Sequence, residues 1–239
     1  MRLPAKAQQV SIERAMQAAH EKRAAFIEGT LSVSPDSLGV VIFPCVDGTQ
    51  RLQAPNDYVA SVLRNARLST LKVNLASHGE RLAPAGVRPS PETGGWIADM
   101  SARLGAVCDW VREQPETRDV PIGLFAGGDC AVAMMRLAAE SPAGISAIVS
   151  RGGRLDLAER ALLTRLHVPT LLIVGGLDQR LLGLHRTAFS QLRCRKKLEV
   201  IPGATHAFEE PGNQEVVARL ARGWFQLHAT GAPQSAFPH

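Results

Sequence analysis

The stretch from Val120 to Glu140, VPIGLFAGGDCAVAMMRLAAE, constrains this chain more than any other. Pro121 to Phe125 is a short apolar run that ends in a glycine cluster. From Cys130 onward, apolar residues recur at helical spacing. A strand, a tight glycine turn and a helix therefore follow one another with almost no linker.

The flanking sequence repeats the theme. Phe26 to Val33 alternates apolar with small or polar residues and reads as a strand. Leu38 to Phe43, LGVVIF, is an uninterrupted apolar run rich in β-branched residues, as expected of a buried strand in a parallel sheet. Further strands are expected at 69–75, 144–150, 170–174 and 197–201. Helices are expected at 56–66, 95–113, 155–166, 181–192 and 215–228. Short connections between alternating strands and helices imply an α/β fold: an open, mostly parallel sheet with helices on both faces. Ligands of such sheets bind at the C-terminal ends of the strands. The loops at 44–50, 126–130, 151–154, 175–180 and 203–212 are therefore expected to converge. Residues 77–93 form a Pro- and Gly-bearing loop with the character of a lid.

Residues 4–24 are rich in Ala, Gln, Glu and Arg, and Ile12, Met16 and Ala19 share one helical face. The expected division is an N-terminal helical extension over 1–25, the domain proper over 26–228 and a loose tail over 229–239.

The chain has 239 residues, enough to bury a full core. Its net charge of +5 is dispersed, and one Tyr and three Trp supply few stacking platforms, so no nucleic-acid role is expected. No apolar run approaches the ~20 residues that span a bilayer. The N-terminus shows no apolar h-region, so the cytoplasm is the expected compartment. Cys45, Cys108, Cys130 and Cys194 form no CxxC pair and read as thiols rather than as a disulfide framework or a zinc site.

Five blocks carry a likeness to a known family: LGVVIFP (38–44), EQPETRDVPIGLF (113–125), AIVSRGGRLDLA (147–158), PTLLIVGGLD (169–178) and LEVIPGATHAFEEPG (198–212). Over about residues 26–228 the chain resembles the dienelactone-hydrolase-like branch of the α/β-hydrolase superfamily. The resemblance implies an α/β-hydrolase fold. It also implies that Asp178 and His206 are the acid and base of a nucleophile–His–Asp triad, in the order usual for that fold.

The other half of the expected site departs from the family. The nucleophile elbow, G-x-S-x-G, here reads Ala126-Gly127-Gly128-Asp129-Cys130, which puts a glycine, Gly128, in the nucleophile slot. The oxyanion loop, commonly H-G-S-G, reads Cys45-Val46-Asp47-Gly48. A carboxylate at Asp47 would oppose a developing oxyanion. Asp129 is a second acidic intruder, and its place at a helix N-terminus offers stabilisation by the helix dipole instead.

Several readings of these residues stay open. Asp178 and His206 are either catalytic or a structural tie between two loops. Cys130 is either a displaced nucleophile or a buried cysteine at the start of a helix. Cys45 and Cys130 could form a redox pair if their loops meet. Asp47, Asp129, Asp178 and His206 lack the close spacing of a ligand motif, and no metal or cofactor is expected. The glycines lack both a G-x-G-x-x-G pattern and a following Lys-Ser/Thr, which weakens a phosphate-loop reading. Arg151 and Arg154 lie either at the pocket rim or on a solvated turn. Two functions follow. One is a hydrolase of small esters or lactones, acting through Cys130 or another device. The other is a pseudo-hydrolase that binds an ester- or lactone-like ligand, or a partner, without acyl transfer.

Overall fold

The computed structural model describes residues 6–14, 25–46, 50–76 and 94–229. Eight strands form one sheet: β1 (Lys6–Arg14), β2 (Ala25–Val33), β3 (Gly39–Cys45), β4 (Leu68–Asn74), β5 (Ile122–Gly128), β6 (Ile145–Gly153), β7 (Thr170–Gly175) and β8 (Lys196–Ile201). The helices are α1 (Gln50–Asn65), α2 (Gly94–Glu113), α3 (Cys130–Glu140), α4 (Arg160–Arg165), α5 (Gln179–Gln191) and α6 (Asn213–Ala229). The strand order is β1-β2-β4-β3-β5-β6-β7-β8. β2 pairs antiparallel with β1 and β4, and all other pairs are parallel.

The apolar runs become central strands because both faces of the sheet are covered. Val40, Ile42, Leu124 and Ile148 pack toward α2, α3 and α4. Val41, Phe43, Phe125, Ala147 and Val149 pack toward α1 and α6. The alternation follows from the two-residue period of a strand. It also fixes which side of the sheet each residue of the site edge serves.

The N-terminal segment corrects the helical reading. Lys6–Arg14 is a strand, paired antiparallel with β2 so that Ile12 stands opposite Ile27. Ile12 is buried at the same time. Its sequence fits two periods, Ile12-Met16-Ala19 for a helix and Val10-Ile12 for a strand. Backbone pairing with β2 decides between them, and Met16 and Ala19 lie outside the described residues. The helix expected over 155–166 is also interrupted. Leu155–Leu157 forms a 3-10 turn, and the backbone is extended at Ala158 and Glu159 before α4 begins. The expected lid over 77–93, the tail beyond Ala229, and Asp47 lie outside the described residues.

Candidate functional site

β5 ends at Gly128, Asp129 alone turns the chain, and α3 begins at Cys130. Gly128 has a φ of +53°, the left-handed region. An L-residue with a side chain occupies that region at a cost of about 1–2 kcal/mol. A Cβ added to Gly128 would meet nothing within 4 Å. Gly127 is glycine for a different reason. A Cβ there would stand 2.6 Å from the carbonyl oxygen of Arg151, on the paired strand β6. This is a sharp strand-to-helix turn of the kind that exposes a side chain at its apex. The apex has room for a side chain, and glycine supplies none.

The expected site residues are distributed around that apex. Cys130 is 5% exposed and packs into the apolar cluster beneath α2 and α3. Asp129 occupies the N-cap position of α3 but makes no side-chain capping bond. Its charge instead acts on Arg154. Cys45, the last residue of β3, donates through Sγ to the Val73 carbonyl at 3.3 Å. Val46 packs against the α2–α3 cluster. No disulfide joins Cys45 and Cys130.

Asp178 and His206 come together through the backbone of their loops. Gly176 N donates to Ile201 O at 2.9 Å, and Leu177 N donates to Ala204 O at 3.0 Å. Asp178 Oδ2 lies 4.0 Å from His206 Nδ1, within Coulombic range but beyond a hydrogen bond. The carboxylate has a second task. As the N-cap of α5, its Oδ1 accepts from Leu181 N at 2.9 Å. The His206 side chain is 57% exposed.

The loop that carries His206 is braced by residues the sequence reading did not single out. Glu210 accepts from Thr205 N at 3.0 Å and from Asn213 Nδ2 at 2.8 Å. Hydrogen bonding, led by Thr205, holds the Glu210 carboxyl down to about 2. Phe208 has a φ of +56° and is buried against α6. Burying a Phe side chain stabilises by about 1.5–3 kcal/mol, which offsets about 1–2 kcal/mol of backbone strain. A small cavity of about 170 Å³ opens at this edge, lined by Arg154, Asp156, Asp178, Arg180, Leu181, Leu184 and His206. Arg154 and Asp156 form a two-pronged pair, with Nε–Oδ1 and Nη2–Oδ2 both at 3.0 Å. A larger groove of about 570 Å³ between α2 and α3 is lined by residues from the C-terminal end of α3, opposite the elbow. We place the site at the smaller one, because the titratable groups gather there.

Arg151 corrects the solvated-turn reading of SRGGR, and Arg154 lies at the rim of the small cavity. β6 runs three residues past Ser150, and Arg151 within it is 6% exposed. Its Nη1 is buried without a hydrogen-bond partner, and the guanidinium lies 5.9 Å from the centroid of the Phe125 ring. Burial pushes its pKa down to about 10. A cation–π contact contributes about 0.5–2 kcal/mol, whereas taking a cation out of water costs several kcal/mol. The ring therefore does not compensate the buried charge. The strand parity of Ala147, Val149 and Arg151 was the available signal. It shows only once β6 is extended beyond Ser150.

His185 on α5 is fully buried. Its Nδ1 lies 2.9 Å from the Leu181 carbonyl, its Nε2 has no partner, and burial pushes its pKa down. Among the described residues, no group of three or more His, Cys, Asp and Glu side chains is placed to hold a metal ion. Among them, too, no helix is long and apolar enough to cross a membrane.

No protein-family model matches the sequence. Two curated Mycobacterium tuberculosis proteins, provisionally named phosphoribosyl transferases, are 40% identical over 205 residues. The match covers 86% of this chain and 44% of theirs, so the chain spans less than half the length of those relatives. A dienelactone hydrolase-like promiscuous phosphotriesterase from metagenomic libraries shares the fold with a TM-score of 0.69 at 16% identity, over 93% of this chain and 98% of its own. The crystal structure of dienelactone hydrolase from Anabaena variabilis superposes with a TM-score of 0.82 at 34% identity. That likeness covers 95% of this chain and 99% of the other. With that much sequence and nearly the whole fold in common, the chain belongs to the dienelactone hydrolase family of α/β-hydrolases.

Proposed function

We propose that this chain is a ligand-binding member of its family that has lost acyl transfer through the elbow. The observation that carries this reading is Gly128: left-handed backbone, open space at the apex, and no oxygen or sulfur to attack a carbonyl. In a working triad the imidazole takes a proton from the nucleophile, and a carboxylate orients the imidazole. Here the first partner is missing, and the second stands 4.0 Å away while capping α5. The burial of Cys130 among core side chains weighs against a displaced thiol nucleophile. The ligand class is a small ester- or lactone-like molecule, bound at the C-terminal edge of the sheet. The mycobacterial relatives' name concerns proteins most of whose length lies outside the match. We do not carry that name to this chain, which has a hydrolase fold and no phosphate-cradling motif.

The test is hydrolysis of a short activated ester by the parent chain, Cys130→Ala, His206→Ala and Gly128→Ser. The expected result is no turnover by the parent, Cys130→Ala or His206→Ala. A gain is expected in Gly128→Ser, where a positioned general base can contribute about 10²–10⁴-fold. Parent activity that vanishes in Cys130→Ala would make the thiol the nucleophile. Parent activity that survives Cys130→Ala but not His206→Ala would mean water activated by the imidazole. Either result overturns the reading.

A further inference from the structure

Arg151 is a cation buried at the ligand edge of the sheet, and among the described residues nothing neutralises it. Its backbone pairs with Gly127 of the elbow on one side and with Ile173 of β7 on the other. The next residue, Gly152, lies against His206: a Cβ added there would stand 3.4 Å from the imidazole. Ala147 and Val149 lie in the cluster against α6, and the strand period puts the Arg151 side chain on the same face. The guanidinium therefore sits beneath the edge where the elbow and the His206 loop emerge.

Three carboxylates of the site edge have partners of their own, and the charge of a fourth, Asp129, acts on Arg154. Asp156 is held by Arg154, Glu210 by Thr205 and Asn213, and Asp178 by Leu181 N. Among the described residues, no hydrogen bond or ion pair reaches the Arg151 side chain, and its Nη1 is sealed from solvent. Buried arginines are stable when a carboxylate or phosphate accepts their forked N–H groups. A fork with no acceptor, at the edge where ligands of parallel sheets bind, is the complement of an anion.

We propose that Arg151 receives the anionic group of this chain's ligand, a carboxylate or a phosphate, at the sheet edge beside Gly128. The proposal rests on the ligand-binding reading of this chain and names a group that the ligand carries. The low polarity around Phe125 and Phe43, whose ring centroids lie 5.1 Å apart, strengthens the attraction relative to water.

The experiment is thermal unfolding of the full chain at pH 7 in chloride, acetate or inorganic phosphate, at matched ionic strength. At least one oxyanion is expected to raise the melting temperature above chloride in a saturable way. A concentration about ten times Kd raises the folding constant about elevenfold. A rise with phosphate alone identifies a phosphate-bearing ligand, and a rise with acetate alone a carboxylate. Arg151→Met is expected to abolish the rise, and Arg118→Ala, at an exposed residue already paired with Asp119 and away from the site, to keep it. Should Arg151→Met fold poorly, Arg151→Lys keeps the charge and loses the fork, and a weaker anion response is expected. Phosphorus NMR line broadening on the parent chain reads phosphate binding without any variant. No rise with either anion, or an equal rise in Arg151→Met, overturns the proposal. Ester turnover by the parent would sink the loss of acyl transfer and leave the anion site standing. A chain silent toward both anions and esters would do the reverse.

Discussion

Two adjacent glycines at the elbow should respond unequally to the same small change. At Gly128 an added methyl meets nothing within 4 Å, so alanine costs only the left-handed backbone at φ +53°. That is about 1–2 kcal/mol, less about 0.4–1 kcal/mol regained because alanine restricts the unfolded chain. The net loss for Gly128→Ala is therefore about 1 kcal/mol. At Gly127 the methyl would stand 2.6 Å from the Arg151 carbonyl, while ordinary contact begins at 3.4 Å. The oxygen belongs to the backbone of a paired strand and cannot rotate away, so β5 and β6 must separate locally. Overpacking of that kind costs about 1–3 kcal/mol, and a rigid backbone partner puts Gly127→Ala at the upper end. Urea unfolding followed by circular dichroism, with the m-value held constant, measures both. At about 2–4 °C per kcal/mol for a chain of this size, the melting temperature falls by about 2–4 °C for Gly128→Ala and by about 6–12 °C for Gly127→Ala. Gly128→Asn should cost less than Gly128→Ala, because asparagine tolerates the left-handed region. If Gly128→Ala proves the costlier of the two alanine changes, the apex is not open and the reasoning about the vacant nucleophile slot fails.

The cap of α5 separates the two roles of Asp178: Asp178→Ala should lose about 1 kcal/mol, and Asp178→Asn, which can still accept from Leu181 N, should stay within a few tenths, both read from urea midpoints. Glu210 ionises far below its ordinary 4.5 in the folded chain, so its contribution is complete above about 4.5 and is lost as the pH falls from there through about 2. Glu210→Gln should flatten stability over that acid window, measured by unfolding between pH 5 and 2. His185 is held neutral by burial, with a folded pKa below 6.5. Its contribution is complete above 6.5 and declines as the pH falls below it, because the unfolded chain then binds the extra proton. His185→Leu should remove that slope, and a slope unchanged in the variant would assign it to other groups.

Local patterns in the sequence determined the α/β class, the strands β2 to β8 to within a few residues, and the elbow at 126–130. They also led to converging loops at 175–180 and 203–212, on which the family resemblance singled out Asp178 and His206. These features depend on residue periodicity and on the spacing of glycines and turns, which act over short stretches of chain. Tertiary structure decided what depends on distance and water. Lys6–Arg14 became a strand because β2 offered an edge to pair with, though its composition suits a helix equally well. Arg151 became a buried charge because β6 ran three residues further, and no local pattern reports how much water a guanidinium keeps. The open space at Gly128, the cap formed by Asp178 and the 4.0 Å gap to His206 arise where segments distant in sequence meet. Periodicity is a property of a segment, whereas exclusion of water and separation between side chains belong to the assembled sheet.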